Sequence, residues 1–562
     1  IILINLMIVL NNSQKIKINN LFNNKKFLEL EREIEFISKT NDLNPFLVNL
    51  LGVSKIQKKN PSQLDFESAL TLFKEATTRN PAYEDALCNY ALLGLKLNRY
   101  EEPYKLLKEF VKKGYKAKSY LVLARIKYLT GEIDEALELL KFVIEKKEAG
   151  PIPATHFLSA LNYTTKYNQL EYLEFCKKIN DQFKTNNISK LISFSFEKKT
   201  KILEIGWLSP DFCDHATSQY LMETLEELKK YNFKLHAFNL RNPKGFDEIT
   251  QKYKDTFHNW HDVSSLTDLE ITNFIREKKI HLLFDLTGYF TRNRFRVLKY
   301  RAAPIQVLWL GYLNTTGIRE VDYIVSDLNL IHEGEEGFYS EKIIKLPKIW
   351  NAHSKINCNS KITELPFYKN NFFTFGCLNN SSKISKEVIS AWCKILVKVK
   401  NSKLLLKAVS KDSEIAYKNI LNKLNIEKSR IIFLSSKPNK EEHYKIYNDI
   451  DLALDTFPYP GVTTSFEAIW MGVPVLTMKG NNSVSRCGES ININLNLKNF
   501  IAKDHEEYVS KAVLVSKKIK ELSIIRKSLR EKALASPLFD VKNFSKNFSE
   551  TINRIWLNHS NK

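Results

Sequence analysis

Gly461, Thr463, Thr464 and Ser465 lie where a short apolar run gives way to a helical pattern. Glycine permits a tight turn, and threonine and serine are favoured at helix N-termini, where their hydroxyls bond free amides. The unpaired N–H groups of a first helical turn and the positive end of the helix dipole attract anions. These residue types and their spacing therefore predict an anion site that would suit a nucleotide diphosphate.

The elements that must position this turn are two strands and a helix. Residues 450–455 are apolar, form a short run and end at a proline-containing turn, which predicts a buried strand. The helix runs from Phe466 through Trp470 and ends at Gly472, and residues 473–477 are the next strand. An ordinary strand–helix turn has the same spacing, so the pattern alone leaves both interpretations open.

Upstream, an internal repeat of about 34 residues runs from residue 57 to about 185. Small and apolar residues recur at this step: Ala69, Pro103 and Ala136; Ala76, Phe110 and Val143; Phe66, Tyr100 and Ile133; Ala91 and Ala124; and a degenerate unit near Ala160, Tyr163 and Tyr172. The period is that of tetratricopeptide repeats (TPRs), whose small residues let paired helices pack closely. We expect a helical segment over 1–56 and TPR-like helices over 57–190, which would present a curved surface to polypeptides. An unrelated helical bundle is the alternative.

From residue 200 onward the pattern changes to strands alternating with helices. The predicted strands are 202–208, 234–240, 280–286, 305–310, 323–326 and 343–346, and then 372–378, 403–408, 431–434, 450–454 and 473–477. This alternation predicts two Rossmann-like domains, over 200–365 and over 366–562 with its C-terminal helices. Two such domains in series, with a ligand site expected in the cleft between them, resemble the GT-B architecture. The fold class is thus α/β, with a helical N-terminal array. A two-domain α/β ligand binder is the alternative.

Composition and charge argue against several other classes of protein. The 562 residues carry a net charge of +22, but the lysines are spread along the chain among glutamates, which argues against a nucleic-acid partner. The seven cysteines are scattered and form no CxxC pair, which excludes an obvious zinc site and favours a reducing cytoplasm. The opening apolar run, residues 1–10, is too short to span a bilayer, so we expect neither an export signal nor a membrane partner.

The stretch from Asp455 to Thr477 resembles the donor-site signature of the O-GlcNAc transferase and Spindly family of protein glycosyltransferases. The residues before its glycine, Thr456-Phe457-Pro458-Tyr459, are closer to Spindly-like and bacterial members than to the animal enzymes. Further segments resemble the same family in the same order, so that the resemblance covers about residues 200–555: residues 209–218, 302–317, 377–384 and 440–443.

The resemblance implies roles for individual residues. His215 takes the place of the family's active-site His, and Lys383 that of its essential Lys. Lys440 and His443 take the places of residues that hold the nucleoside, and Glu467 that of a ribose-contacting carboxylate. The other residues expected at the donor site are Asn380, Gly461, Val462, Thr463 and Thr464, and those expected at the acceptor side of the cleft are Thr217, Gly311 and Tyr312.

The implied activity is inverting transfer of one sugar, with GlcNAc expected, from a nucleotide-sugar to Ser or Thr of polypeptides that the TPRs present. Charge developing on the leaving diphosphate would be stabilised by the Lys383 ammonium and helix amides, so no metal or other cofactor is expected. Asp449-Ile450-Asp451 spells the acidic triplet of metal-dependent transferases, but at the start of an apolar strand we interpret it as structural. His215 could act as the base or orient the acceptor, with substrate phosphate as a rival base.

Other functions stay open at this point. Val462 replaces a polar His of the animal enzymes, and Spindly-type proteins transfer fucose from a guanine nucleotide, so GDP-fucose is an alternative donor to UDP-GlcNAc. N-glucosylation of Asn is another alternative, known among relatives that modify adhesins. A TPR scaffold with an inactive transferase half is a third. Retention of Lys383, His215 and the Thr463–Thr464 turn speaks against the scaffold.

Overall fold

The computed structural model describes residues 10–97, 99–114, 116–147, 150–183, 194, 200–407, 426–434 and 439–561. The chain divides into two compact units, with the division after Pro153. Most of the opening apolar run, residues 1–9, lies outside the described residues. No helix within the described ranges is both long enough and apolar enough to cross a bilayer.

The first unit is helical. Its helices begin with α1 (Asn12–Asn23), α2 (Phe27–Ser38), α3 (Pro45–Gln57) and α4 (Gln63–Arg79), and continue with α5 (Glu84–Lys96), α6 (Glu101–Lys112), α7 (Ala117–Leu129) and α8 (Ile133–Lys146). Neighbouring helices pack closely because small residues face the contacts. Ala69, Ala91, Ala124 and Ala136 are fully buried, each at a position that the 34-residue period predicts. The predicted helical array is confirmed.

The division falls within the first turn of α9 (Ile152–Ala160), and a short 3₁₀ turn, Leu161–Tyr163, joins α9 to α10 (Gln169–Gln182) in the second unit. These helices fall inside the predicted TPR range of 57–190. The division into compact units therefore comes earlier than the predicted domain boundary near residue 190, because the 3₁₀ turn and α10 form hydrogen bonds with the first sheet domain.

The first sheet is parallel throughout and has the strand order β3-β2-β1-β4-β5-β6-β7. Its strands are β1 (Leu203–Ser209), β2 (Phe233–Asn239), β3 (Asn259–Asp262), β4 (Leu282–Asp285), β5 (Ile305–Leu308), β6 (Tyr323–Asp327) and β7 (Lys342–Leu346). The helices of this domain are α11 (Ser218–Leu228), α12 (Glu248–Thr256), α13 (Asp268–Glu277) and α14 (Phe295–Lys299). The order reverses direction between β1 and β4, which is where doubly wound sheets bind ligands.

The second sheet is also parallel, with the order β10-β9-β8-β11-β12-β13. Its strands are β8 (Phe373–Cys377), β9 (Ser402–Lys407), β10 (Ile431–Leu434), β11 (Leu452–Leu454), β12 (Val475–Met478) and β13 (Ile501–Ala502). The helices are α15 (Pro366–Asn370), α16 (Lys386–Lys398), α17 (Lys440–Lys445), α18 (Thr463–Trp470), α19 (Cys487–Asn494), α20 (His505–Lys517), α21 (Ile519–Leu534) and α22 (Val541–Ser560). The predicted pair of Rossmann-like sheets is confirmed.

Two strands were not predicted, and the last helix lies elsewhere than expected. β3 is polar and lies at a sheet edge, and β13 is two residues long, so neither shows an apolar run. α22 belongs in sequence to the second domain but packs on the first sheet. The ring of Phe548 lies 4.7 Å from that of Trp309 and contacts Trp207. The C-terminal helix therefore ties the two sheet domains together.

We expect Phe548→Ala to lower the free energy of unfolding of the second unit by about 3–5 kcal/mol, because it leaves a cavity against two buried tryptophans. A urea titration followed by tryptophan fluorescence measures this directly, since Trp207 and Trp309 are the residues that Phe548 contacts. Leu557→Ala is the matched control on the same helix. Leu557 is 57% exposed, so its loss should change stability by no more than about 0.5 kcal/mol. Equal effects of the two substitutions would contradict the assigned packing of α22.

Candidate functional site

The turn between β11 and α18 is built around the carboxylate of Asp455. Asp455 is buried, and its Oδ1 accepts hydrogen bonds from the Gly461 amide at 2.7 Å and the Thr456 amide at 2.9 Å. Its Oδ2 accepts from the Thr477 hydroxyl at 2.9 Å. An ionised group out of water needs such donors, so Asp455 holds the chain in a fixed loop between its own strand and Gly461. Helix α18 then begins at Thr463, directly after Val462.

Lys383 reaches this turn from a neighbouring strand. It lies in a 3₁₀ turn, Ser381–Lys383, that follows β8, and β8 pairs in parallel with β11. The carboxyl ends of paired parallel strands lie side by side, which brings the two loops together. The Lys383 ammonium donates to the carbonyl of Pro460 at 2.7 Å and lies 4.2 Å from the centre of the Tyr459 ring. The two predicted parts of the anion site are therefore adjacent.

Desolvation sets the protonation of Lys383. Burial disfavours the charged ammonium and lowers the pKa of Lys383 to about 8, while the nearby carboxylate of Asp455 partly offsets this. The ammonium is still protonated at neutral pH. A poorly solvated cation gains more than an exposed one from a bound anion.

Asn379 connects the loop after β8 with the loop after β11. The sequence analysis did not predict it as a site residue. Its amide nitrogen donates to Asp455 at 3.0 Å and to the Thr456 hydroxyl at 2.9 Å, and its amide oxygen accepts from the Thr464 hydroxyl. Asn380, the predicted donor-site residue, is instead exposed, and its side chain caps the following turn by accepting from the Ser382 amide at 3.3 Å. Asn379 follows β8 just as Asp455 follows β11, which is the signal that could have identified it.

The predicted nucleoside residues lie on the other side of α18. His443 Nε2 is 3.2 Å from Glu467 Oε2, and the Tyr447 hydroxyl donates to the same oxygen at 3.1 Å. Glu467 is thus held in place by two partners, with its carboxylate beside the first turn of α18. Lys440 does not join this group. Its ammonium pairs with Asp214 of the first sheet domain at 2.6 Å, and both side chains are exposed.

The first sheet domain faces the donor turn through the loop that follows β1. His215 is half exposed there, with its Nδ1 atom 2.9 Å from the Thr217 hydroxyl and 3.9 Å from Asp211 Oδ2. One turn along α11, the Tyr220 hydroxyl donates to Thr463 Oγ1 at 3.3 Å. This bond and the Lys440–Asp214 pair both join the first domain to the donor side. The loop that carries His215 therefore borders the cleft beside α18.

Of the two residues predicted on the acceptor side, Gly311 lies near Thr217 and Tyr312 is buried. A Cβ atom on Gly311 would lie 2.0 Å from the carbonyl oxygen of Leu286 and 3.8 Å from Thr217, so no larger residue fits beside Thr217. Tyr312 is buried, and its hydroxyl bonds that of Tyr172 and the amide of Asn162. The prediction of Tyr312 as a cleft residue is corrected: its buried hydroxyl joins the 3₁₀ turn and α10 to the first sheet domain.

In the acidic triplet, Asp451 is buried and has a structural role, whereas Asp449 is exposed. Asp451 accepts from the amides of Thr374 at 2.7 Å and Phe367 at 3.0 Å, and burial raises its pKa to about 6. Within the described ranges, no group of three or more His, Cys, Asp or Glu side chains has an arrangement that could hold a metal ion. The expectation of metal-independent chemistry stays a prediction.

Two parallel-sheet domains in series, the second of which carries the Lys383 ammonium beside the N-terminus of α18, are the arrangement of the GT-B class of glycosyltransferase folds. The sequence model of glycosyl transferase family 41 matches residues 139–364 and 361–548, and the chain belongs to this family. The match takes in α9 and α10 together with both sheets.

Curated relatives and a solved structure agree with this assignment. The chain is 30% identical over 361 residues to the probable UDP-N-acetylglucosamine–peptide N-acetylglucosaminyltransferase SPINDLY of Solanum lycopersicum, covering 63% of this chain and 39% of that protein. It is 28% identical over 371 residues to the Arabidopsis thaliana protein SEC, of the same descriptive name, covering 64% and 38%. The chain thus spans about two fifths of these relatives. The fold matches that of a Thermobaculum terrenum O-GlcNAc transferase mutant, with a TM-score of 0.83 and 24% identity, over 93% of this chain and 99% of that one.

We expect Asp455→Asn to destabilise the second unit by about 1–3 kcal/mol, because the amide places an N–H group where four donors already converge. Thermal unfolding followed by circular dichroism measures the change. Asp504→Asn is the matched control. Asp504 is the N-cap of α20, and asparagine caps a helix about as well as aspartate, so stability should stay the same. An unchanged melting temperature for Asp455→Asn would show that the carboxylate does not organise the turn.

Proposed function

We propose that this chain transfers a single sugar, GlcNAc, from a nucleotide-sugar to Ser or Thr hydroxyls of polypeptides, with inversion and without a metal ion. The observation that carries the proposal is the position of the Lys383 ammonium, 2.7 Å from the carbonyl of Pro460 and next to the turn that begins α18. A diphosphate at this point would meet a cation, the first amides of a helix and the hydroxyl of Thr463 together.

The proposed chemistry is stabilisation of the leaving group. As the bond from the sugar to the diphosphate breaks, negative charge grows on the diphosphate oxygens, and the Lys383 ammonium and the α18 amides neutralise it. Asp455 and Asn379 already hold the turn before α18, and the Pro460 carbonyl holds the ammonium, so little reorganisation is needed in the transition state. Glu467, fixed by His443 and Tyr447, is placed to accept hydrogen bonds from a ribose.

The acceptor would approach from the first sheet domain. His215 is exposed and paired with the Thr217 hydroxyl, so one imidazole nitrogen remains for a substrate hydroxyl. In this role His215 accepts the acceptor proton or orients the hydroxyl for attack from the face opposite the leaving diphosphate. Gly311 allows its loop to pack directly against the Leu286 carbonyl near Thr217, and the TPR-like helices would deliver the polypeptide to this side.

One observation favours a second donor. Val462 directly precedes α18 and is partly exposed, so an apolar side chain stands at the turn where the animal enzymes have a histidine. A donor with a different nucleotide, GDP-fucose, is therefore the second candidate. The names of the relatives, probable UDP-N-acetylglucosamine–peptide N-acetylglucosaminyltransferases, support UDP-GlcNAc as the first.

A thermal-shift panel with UDP-GlcNAc, UDP-glucose and GDP-fucose tests the donor. We expect UDP-GlcNAc to give the largest rise in melting temperature, since a ligand at about 100 times its Kd stabilises the folded state by about 2.7 kcal/mol. Lys383→Ala should abolish the shift and the transfer of labelled sugar to a Ser- or Thr-containing peptide library. Its control is Lys386→Ala, three residues along on α16, which should retain both. A larger shift with GDP-fucose would identify GDP-fucose as the donor in place of UDP-GlcNAc. If the wild type binds the nucleotide-sugar but transfers no sugar, the chain is a scaffold with an inactive transferase half.

The affinity for UDP should fall above pH 8. Diphosphate binding requires the protonated ammonium of Lys383, whose pKa of about 8 lies below the ordinary value for lysine. Relative to its value at pH 7, the Kd should be about twofold higher at pH 8 and about tenfold higher at pH 9. Isothermal titration calorimetry measures this profile. Lys383→Arg, which keeps its charge, should show no such fall, and a sloping profile in that variant would trace the effect to another group.

A further inference from the structure

The 3₁₀ turn Leu161–Tyr163, between α9 and α10, contacts both sheet domains. Asn162 accepts from the amide of Asn314 at 2.8 Å and donates to the Tyr312 hydroxyl at 3.3 Å, and both partners belong to the first domain. The next residue, Tyr163, stacks on Tyr459 of the second domain, with ring centres 4.6 Å apart and planes 28° apart. A single helical turn outside both sheets therefore reaches the donor turn.

Tyr459 is also the residue whose ring lies beneath the Lys383 ammonium, at 4.2 Å from its centre. The face of an aromatic ring attracts a cation, and this attraction is stronger where water is excluded. Lys383 makes its hydrogen bond to the carbonyl of Pro460, the residue next to Tyr459. The orientation of the Tyr459 ring therefore influences where the ammonium lies and how much water reaches it.

The stack on Tyr163 fixes that orientation. Tyr459 lies in a loop between β11 and α18, and its side chain is only partly buried. Tyr163 comes from a turn whose backbone is held by the hydrogen bonds of Asn162, so its ring is a rigid partner. Without this partner the Tyr459 ring would gain rotamer freedom, and the ammonium would lose both its aromatic neighbour and part of its shielding from solvent.

We propose that Tyr163 is a positioning residue for the donor site: it holds Tyr459 beneath the Lys383 ammonium and so links the helical segment α9–α10 to diphosphate binding. The inference rests on the proposed function, since it takes Lys383 as the group that binds the diphosphate. Aromatic contact is the property that the role requires, and the hydroxyl of Tyr163 is not needed for it.

The test uses the full chain with Tyr163→Ala, Tyr163→Phe and Tyr167→Ala. The first readout is the pH at which Lys383 reacts half-maximally with acetic anhydride, measured by mass spectrometry of its peptide, and it needs no ligand. In the wild type this midpoint should be about 8. Tyr163→Ala admits water to the ammonium and should raise the midpoint by about one pH unit. Tyr163→Phe keeps the stack and should match the wild type.

The second readout is the affinity for UDP at pH 7. Tyr163→Ala should weaken it about tenfold, because a loosely held cation meets the diphosphate less often in the productive geometry. Tyr163→Phe should stay within about twofold of the wild type. Tyr167→Ala is the matched control: Tyr167 contacts Phe175 at 5.1 Å within the same helical segment, so it should leave both readouts unchanged.

The two readouts separate a positioning role of Tyr163 from general packing of the α9–α10 segment. A folded Tyr163→Ala protein with the wild-type midpoint and affinity would overturn the inference, as would equal changes in Tyr167→Ala, which would indicate general packing of the segment. If Tyr163→Ala does not fold, Tyr163→Leu fills the volume without an aromatic face and is judged by the same two readouts. If the wild type does not bind UDP but the midpoint still shifts in Tyr163→Ala, the proposed function fails, whereas the positioning contact stands.

Discussion

The buried carboxylate of Asp455 is the constraint on which the donor side of the cleft depends. Four donors converge on it, from the backbone of Thr456 and Gly461 and from the side chains of Asn379 and Thr477. Burial alone raises the pKa of Asp455, and these hydrogen bonds work in the opposite direction. Because an unpaired charge in this place would be very costly, the loop has few alternative conformations. Its geometry fixes the start of α18 and the carbonyl that Lys383 contacts.

Much of the fold and of the donor turn could be predicted because the signals are local. The 34-residue period indicates which alanines are buried. A helix N-terminus is indicated where a strand is followed by a glycine and then by residues with hydroxyl groups. The adjacency of Lys383 to that turn came from resemblance to a family, and strand pairing explains it: β8 and β11 are neighbours in the sheet although about 75 residues apart in sequence.

The remaining features depend on contacts between distant segments, which no local pattern reports. Tyr312 was expected in the cleft, but α10 covers it through Tyr172, some 140 residues earlier in the chain. The packing of α22 on the first sheet is likewise invisible in sequence, because an amphipathic helix does not specify the sheet that it covers. Asn379 and Asn380 are chemically identical neighbours, and only the course of the backbone after β8 decides which of them faces Asp455.

The contact of Lys440 with Asp214 is compatible with the predicted nucleoside role of Lys440. The pair is exposed on both sides and joins the two sheet domains at 2.6 Å. Exposed ion pairs contribute about 0–1 kcal/mol, since water solvates both charges nearly as well when they separate. A bound nucleotide could therefore take Lys440 from Asp214 at little energetic cost, whereas the buried bonds of Asp455 would cost several times more to break. The proposed diphosphate side of the cleft is rigid because the hydrogen bonds of Asp455 are buried. The outer edge rearranges readily because the Lys440–Asp214 pair is exposed.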